Sequence, residues 1–98
     1  QLQQILESEP LVFVDFYLEN CGPCELMGRG IREIAERYRN RMAFVCVNVN
    51  DNEWMTHFDI PKVPDLRIYR NGEIAAHWQG FQHTDRIEQK IREILAGK

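Results

Sequence analysis

The segment LVFVDFYL, residues 11–18, constrains the fold more than any other stretch of the chain. Its apolar residues do not alternate with polar ones; they run through Leu11, Val12, Phe13, Val14 and Phe16 with a single aspartate among them. Such a strand is apolar on both faces, and only a sheet covered on both sides can bury it. The period then changes. From Cys24 to about Asn40, the residues Met27, Ile31, Ile34, Ala35 and Tyr38 recur at helical spacing, which predicts a long amphipathic helix against that sheet.

The same alternation runs along the rest of the chain. LQQILESE puts Leu2, Ile5 and Leu6 on one helical stripe, and Pro10 stops it. MAFVCVNV reads as a second buried strand, and DNEWMTHF as a short helix capped by Asp51 or Asn52. DLRIYRNGEIAAHW reads as two strands around Asn71-Gly72, a strong hairpin signal. The final helix aligns Ile87, Ile91, Ile94 and Leu95, with Thr84 as N-cap. Strands joined through helices become parallel neighbours, whereas the hairpin adds an antiparallel edge. The expected class is α/β: a mixed sheet of four to five strands with helices on both faces.

Bulk properties exclude several roles. A 98-residue chain predicts one domain, and no apolar run approaches the roughly 20 residues of a membrane span. A signal-peptide pattern is absent, so the chain as given reads as soluble; its start at Gln1 leaves room for a removed signal, anchor or preceding domain. With a net charge of −3 and basic residues scattered apart from Arg37, Arg39 and Arg41, nucleic-acid binding is disfavoured. Those arginines close the long helix, where positive charge complements the dipole; a partner patch is the alternative. Three cysteines are too few for a disulfide scaffold.

Two of those cysteines stand in ENCGPCEL, residues 19–26, where the first buried strand gives way to the long helix. Reactive groups in open α/β sheets gather at the carboxyl ends of strands. Pro23 suits a first helical turn, which puts Cys21 at the helix N-terminus, where the dipole and free N–H groups favour a thiolate. Cys24 lies about one turn further on, within disulfide reach. A structural metal would need a second ligand pair, and Cys46, His57, His77 and His83 fall on different elements. A staple closing so short a loop removes little chain entropy. The redox couple is the favoured reading. Asp15 is either a strand-end carboxylate in contact with water or a buried proton acceptor beneath the cysteines, its pKa raised by desolvation.

The sequence resembles the thioredoxin family over nearly its whole length, through VDFYLENCGPC, VNVNDN, IPKVPDLRIYRNGE and the Gly-Phe at Gly80. The resemblance implies a thioredoxin fold and protein thiol–disulfide exchange, without cofactor or metal. It implies Cys21 as the exposed nucleophile, Cys24 as the resolving thiol, Asp15 as the buried acid and Pro64 as a cis-proline after Val63. Asn20, Gly22, Pro23, Val63, Pro64, Asp65 and Gly80 would meet the substrate. The implied partners are disulfide-containing proteins and a thioredoxin reductase or other dithiol donor, for a cytoplasmic monomer. The strand that usually precedes the first helix is missing, so residues 1–98 are expected to form a single domain with one sheet edge open or covered by further sequence.

Several positions depart from the family pattern. Asn20 and Tyr17 stand where tryptophans are common, and Gly28-Arg29-Gly30 occupies the region of a helix-kinking proline, so the glycines are expected to supply a bend or a close approach. Asp65 replaces a threonine, Glu25 a frequent basic residue, and Cys46 a lysine near the buried acid. Glu19, Glu25 and Asp65 are expected to oppose the Cys21 thiolate, so that Asp65→Thr would lower its pKa and partners would be more basic than usual. Without the lysine, Asp15 should hold its proton more readily. Cys46 reads as a packed small hydrophobe, or as a third thiol able to rearrange the active disulfide. Trp54 and Trp78 read as core or rim packing. Beside the reductase reading stand an oxidase or isomerase of higher potential and a non-catalytic binding or chaperone module.

Overall fold

The first buried strand lies inside a four-stranded mixed sheet, with helices packed on both of its faces. The computed structural model describes residues 2–50 and 57–97. In chain order the elements are α1 (Leu2–Ser8), β1 (Leu11–Tyr17), α2 (Gly22–Tyr38), β2 (Ala43–Asn48), β3 (Asp65–Arg70), β4 (Glu73–Gln79) and α3 (Thr84–Leu95). The helix expected over DNEWMTHF, with its caps and Trp54, lies outside the described residues except for His57 and Phe58.

The sheet order is β2-β1-β3-β4. β1 and β2 pair in parallel across the α2 crossover, while β3 runs antiparallel to both β1 and β4. Side chains of β1 alternate between two cores. Phe13 joins Met27, Ile31 and Ile34 of α2 and Ile87 and Ile91 of α3, whereas Val12, Val14 and Phe16 join Leu2 and Leu6 of α1 on the other face. Burial of five consecutive β1 residues follows directly from that double cover. No helix among the described residues is long and apolar enough to cross a membrane.

Three expectations need correction. MAFVCVNV is not buried throughout: β2 lies at the sheet edge, and Val47 is its one buried residue. One-sided pairing leaves its outer side uncovered by the described residues. The cap of α3 is His83, one residue before the expected Thr84, which falls in the first turn. The Thr84 methyl instead packs against Gly30, where an added Cβ would overlap it, so this glycine serves the close approach of α2 and α3 and not a break. Finally, Arg37 does more than complement a dipole. It forms a bidentate pair with Glu88 of α3, to which Tyr38 also donates from 2.8 Å.

The hairpin forms as its sequence requires. Asn71 and Gly72 both take left-handed backbone, with φ of 52° and 84°, and Arg70 pairs with Glu73 across the turn. A main-chain bond from Asn71 N–H to Pro10 C=O, 2.9 Å long, ties the turn to the start of β1.

Candidate active site

β1 delivers the chain to the site. After Tyr17 the backbone turns through Asn20, whose φ of 59° is left-handed, a conformation that asparagine tolerates better than most residues. Cys21 follows as the N-cap of α2 in extended backbone, and Pro23 occupies the first turn, where its missing N–H leaves no gap in the helix. The Cys24 N–H donates to Cys21 Sγ over 3.2 Å. The two cysteines form a disulfide with their Cα atoms 5.2 Å apart. Cys21 is half-buried and Cys24 is buried, while Gly22 and Pro23 between them are exposed. One sulfur can therefore meet a second molecule while the other waits beneath it.

Asp15 is 2% exposed, and its Oδ1 has no hydrogen-bond partner among the described residues. Desolvation pushes its pKa up to about 6, although the Arg32 guanidinium pulls in the opposite direction. The carboxylate lines an open cleft of about 550 Å³ together with Cys24, Glu25, Arg29, Arg32 and Cys46. Of the two readings of Asp15, the buried one describes its environment.

Arg32 is the residue that sequence reasoning missed. The loss of a strand lysine at Cys46 reads as the loss of the cation, yet α2 supplies one from the opposite wall. The signal was present as spacing: Cys24, Gly28 and Arg32 recur every fourth residue along one helical stripe. Cys46 is correspondingly not a packed core residue. It pairs in register with Asp15 and is exposed in the cleft, and partial desolvation followed by the Asp15 charge raises its thiol pKa, against a smaller opposing effect of Arg32.

Val63-Pro64 is a cis peptide, and the Pro64 carbonyl accepts the Gly80 N–H at 2.7 Å. Asp65 pairs with Phe16 in the β1–β3 register, so these residues lie at the end of the sheet from which the Cys21 turn departs. The Asp65 side chain, however, is directed elsewhere. It is fully buried, accepts from Arg67 Nε at 2.8 Å, and lies 2.9 Å from His77 Nε2. Asp65, Arg67 and Tyr69 alternate with Leu66 and Ile68, which belong to the α2–α3 core, so the acid faces the α1 side of the sheet. Arg67 also donates to the Phe58 carbonyl and sits 5.3 Å above the Phe16 ring. Burial opposes the Arg67 charge, but its bonds to Asp65 and Tyr69 outweigh that and hold its pKa above the usual arginine value. The expectation that Asp65 opposes the Cys21 thiolate is thereby corrected: its charge is paired inside the opposite core. Arg67, two residues after Asp65 and so on the same face of the strand, was the available clue.

A sequence model described as Thioredoxin matches residues 2–93. The chain is 29% identical to a thioredoxin of Alicyclobacillus acidocaldarius, over 95% of this chain and 90% of that protein. It is 33% identical to thioredoxin 1 of a Nostoc species, over 95% and 88% respectively. Among solved structures, the thioredoxin of Trypanosoma brucei brucei superposes with a TM-score of 0.87 at 26% identity, covering 98% of this chain and 84% of that one. With a buried strand feeding a disulfide at a helix start, and a match spanning nearly all of its length, the chain belongs to the thioredoxin family and is a thiol–disulfide oxidoreductase.

Proposed function

We propose that this oxidoreductase works as a reductase of protein disulfides, with Asp15 as the proton acceptor for Cys24. In the reduced protein the Cys21 thiolate, favoured by the α2 N-terminus, attacks a substrate disulfide and forms a mixed disulfide. Asp15 takes the Cys24 proton; the Cys24 sulfur then attacks Cys21 Sγ, closing the 21–24 bridge and releasing the substrate thiol. The observation that carries this reading is the buried Asp15 carboxylate in the same cleft as Cys24, its Oδ1 without a partner among the described residues. An acid with a pKa of about 6 can accept a proton near neutral pH and pass it on to water.

The exposed turn Asn20, Gly22 and Pro23 and the backbone of Val63, Pro64 and Gly80 hold the substrate as an extended segment in this reading. Asp65 contributes through its main chain, because its carboxylate is buried. The chain acts as a monomeric domain, regenerated by a thioredoxin reductase or another dithiol donor, in a reducing compartment such as the cytoplasm.

Two measurements test the proposal. Equilibration in graded dithiol buffers should give the Cys21–Cys24 pair a potential below about −250 mV; a value near −180 mV would instead indicate oxidation or isomerisation. Cys24→Ser should accumulate a mixed disulfide between Cys21 and a disulfide-bearing protein. A pair that never closes at any potential would mean that the fold serves binding alone.

A further inference from the structure

Cys46 is the third cysteine of the chain and stands apart from the 21–24 bridge. It occupies the β2 position paired in register with Asp15, and neighbouring strands lie about 4.8 Å apart, so the two side chains enter the same cleft. An exposed thiol alone would indicate nothing. Here a second feature points to a ligand: Asp15 Oδ1, buried in the wall of the same cleft, has no donor among the described residues. The rim carries charges of both signs, with exposed Arg29 and Arg32 beside exposed Glu19 and Glu25. Gly28 lies between them without a side chain to fill the space; a Cβ there would touch Arg32 Nη1 at 3.5 Å.

We propose that this cleft is a binding and modification site for a small zwitterionic amino-acid thiol, joined to Cys46 as a mixed disulfide. Its carboxylate pairs with Arg29 and Arg32, and its ammonium supplies the donor that Asp15 lacks. The step needs only the oxidised, disulfide form of that thiol. Cys46 sulfur forms a new S–S bond to one sulfur of the small disulfide; the original S–S bond breaks, and the departing thiol carries away the proton from Cys46. Cys46 is oxidised and the departing half is reduced. The raised thiol pKa of Cys46 makes the adduct slow to form but also slow to break, because a high-pKa thiolate is a poor leaving group. That favours a persistent adduct over rapid exchange. Because the adduct's ammonium occupies Asp15, the acceptor proposed above for the Cys24 proton, an adduct there would also slow turnover at Cys21 and Cys24.

The test uses wild-type protein with the 21–24 bridge closed, so that Cys46 is the free thiol. It is incubated with cystine or with cystamine, a dicationic disulfide without carboxylates whose leaving thiol has similar acidity, and followed by intact mass and peptide mapping. One adduct is expected, on Cys46 and absent in Cys46→Ser. Cystine should react about three- to fivefold faster than cystamine, the scale of a partly exposed charge pair, and the double variant Arg29→Gln/Arg32→Gln should lose that preference. No adduct at Cys46, transfer of the bridge to Cys46, equal rates, or a preference unchanged in the double variant would each overturn the proposal.

Discussion

Asp15 is destabilising when it is ionised. Its pKa rises from 3.8 to about 6 on folding because burial disfavours the carboxylate. For an acid with a raised native pKa, the neutral form is the one that fits the fold. The stability associated with Asp15 is therefore fully present below about pH 3.8 and is lost as the pH rises through about 6. Ionising it by pH 8 costs on the order of 3 kcal/mol at about 1.4 kcal/mol per unit. Asp15→Asn should thus raise the unfolding free energy from urea titration by about that amount at pH 8, leave it nearly unchanged at pH 4, and slow disulfide reduction by about tenfold or more. Equal midpoints for variant and wild type at pH 8 would show that the carboxylate is not desolvated as described. Because Arg32 lowers the Asp15 pKa, Arg32→Gln should shift the pH window of wild-type stability loss upward.

At the scale of elements, two of the three glycines of α2 have opposite physical roles. Gly30 lies against Thr84 of α3, where an added methyl collides with a short, branched side chain. Overpacking of this kind costs about 1–3 kcal/mol, which exceeds the roughly 1 kcal/mol that alanine gains in helix propensity. Gly28 faces the cleft, where a Cβ makes only ordinary contact. Gly30→Ala should lower the urea midpoint and Gly28→Ala should raise it. Two changes of the same sign would show that helix propensity alone governs both sites.

At the scale of the molecule, the Asp65–Arg67–His77 cluster ties β3 and β4 to the segment before the cis-proline. Arg67 reaches Asp65 along β3 and the carbonyls of Phe58 and Asp59, while His77 holds Asp65 from β4. Removing one member of a buried ion pair strands the other charge, at about 3–5 kcal/mol. Asp65→Thr should therefore destabilise the protein on that scale while leaving the Cys21 thiol titration unmoved, and Asp65→Thr/Arg67→Leu should recover most of the loss. A changed Cys21 titration without lost stability would return Asp65 to the active face. The same cluster shows where sequence reasoning stopped. β1, α2 and the Asn71-Gly72 turn were legible because strand, helix and turn signals are local, and the Cys21–Cys24 couple because its spacing is a helical turn. The side of the sheet taken by Asp65, and its pairing with Arg67 and His77, depend on strand register and remained unread.

Period, turn chemistry and cysteine spacing by themselves determined the α/β class, the placement of the disulfide at the start of α2 and the double burial of β1. Those properties arise from steric and hydrophobic preferences within a few residues of chain. Only the tertiary structure decided that β2 is an edge strand, that Cys46 opens into the cleft with Asp15, that Arg32 lies where its charge acts on Asp15, and that Asp65 is ion-paired with Arg67 on the far face of the sheet. Each of these depends on which residues distant in sequence share a small volume, because Coulomb interaction and desolvation act through space and not along the chain.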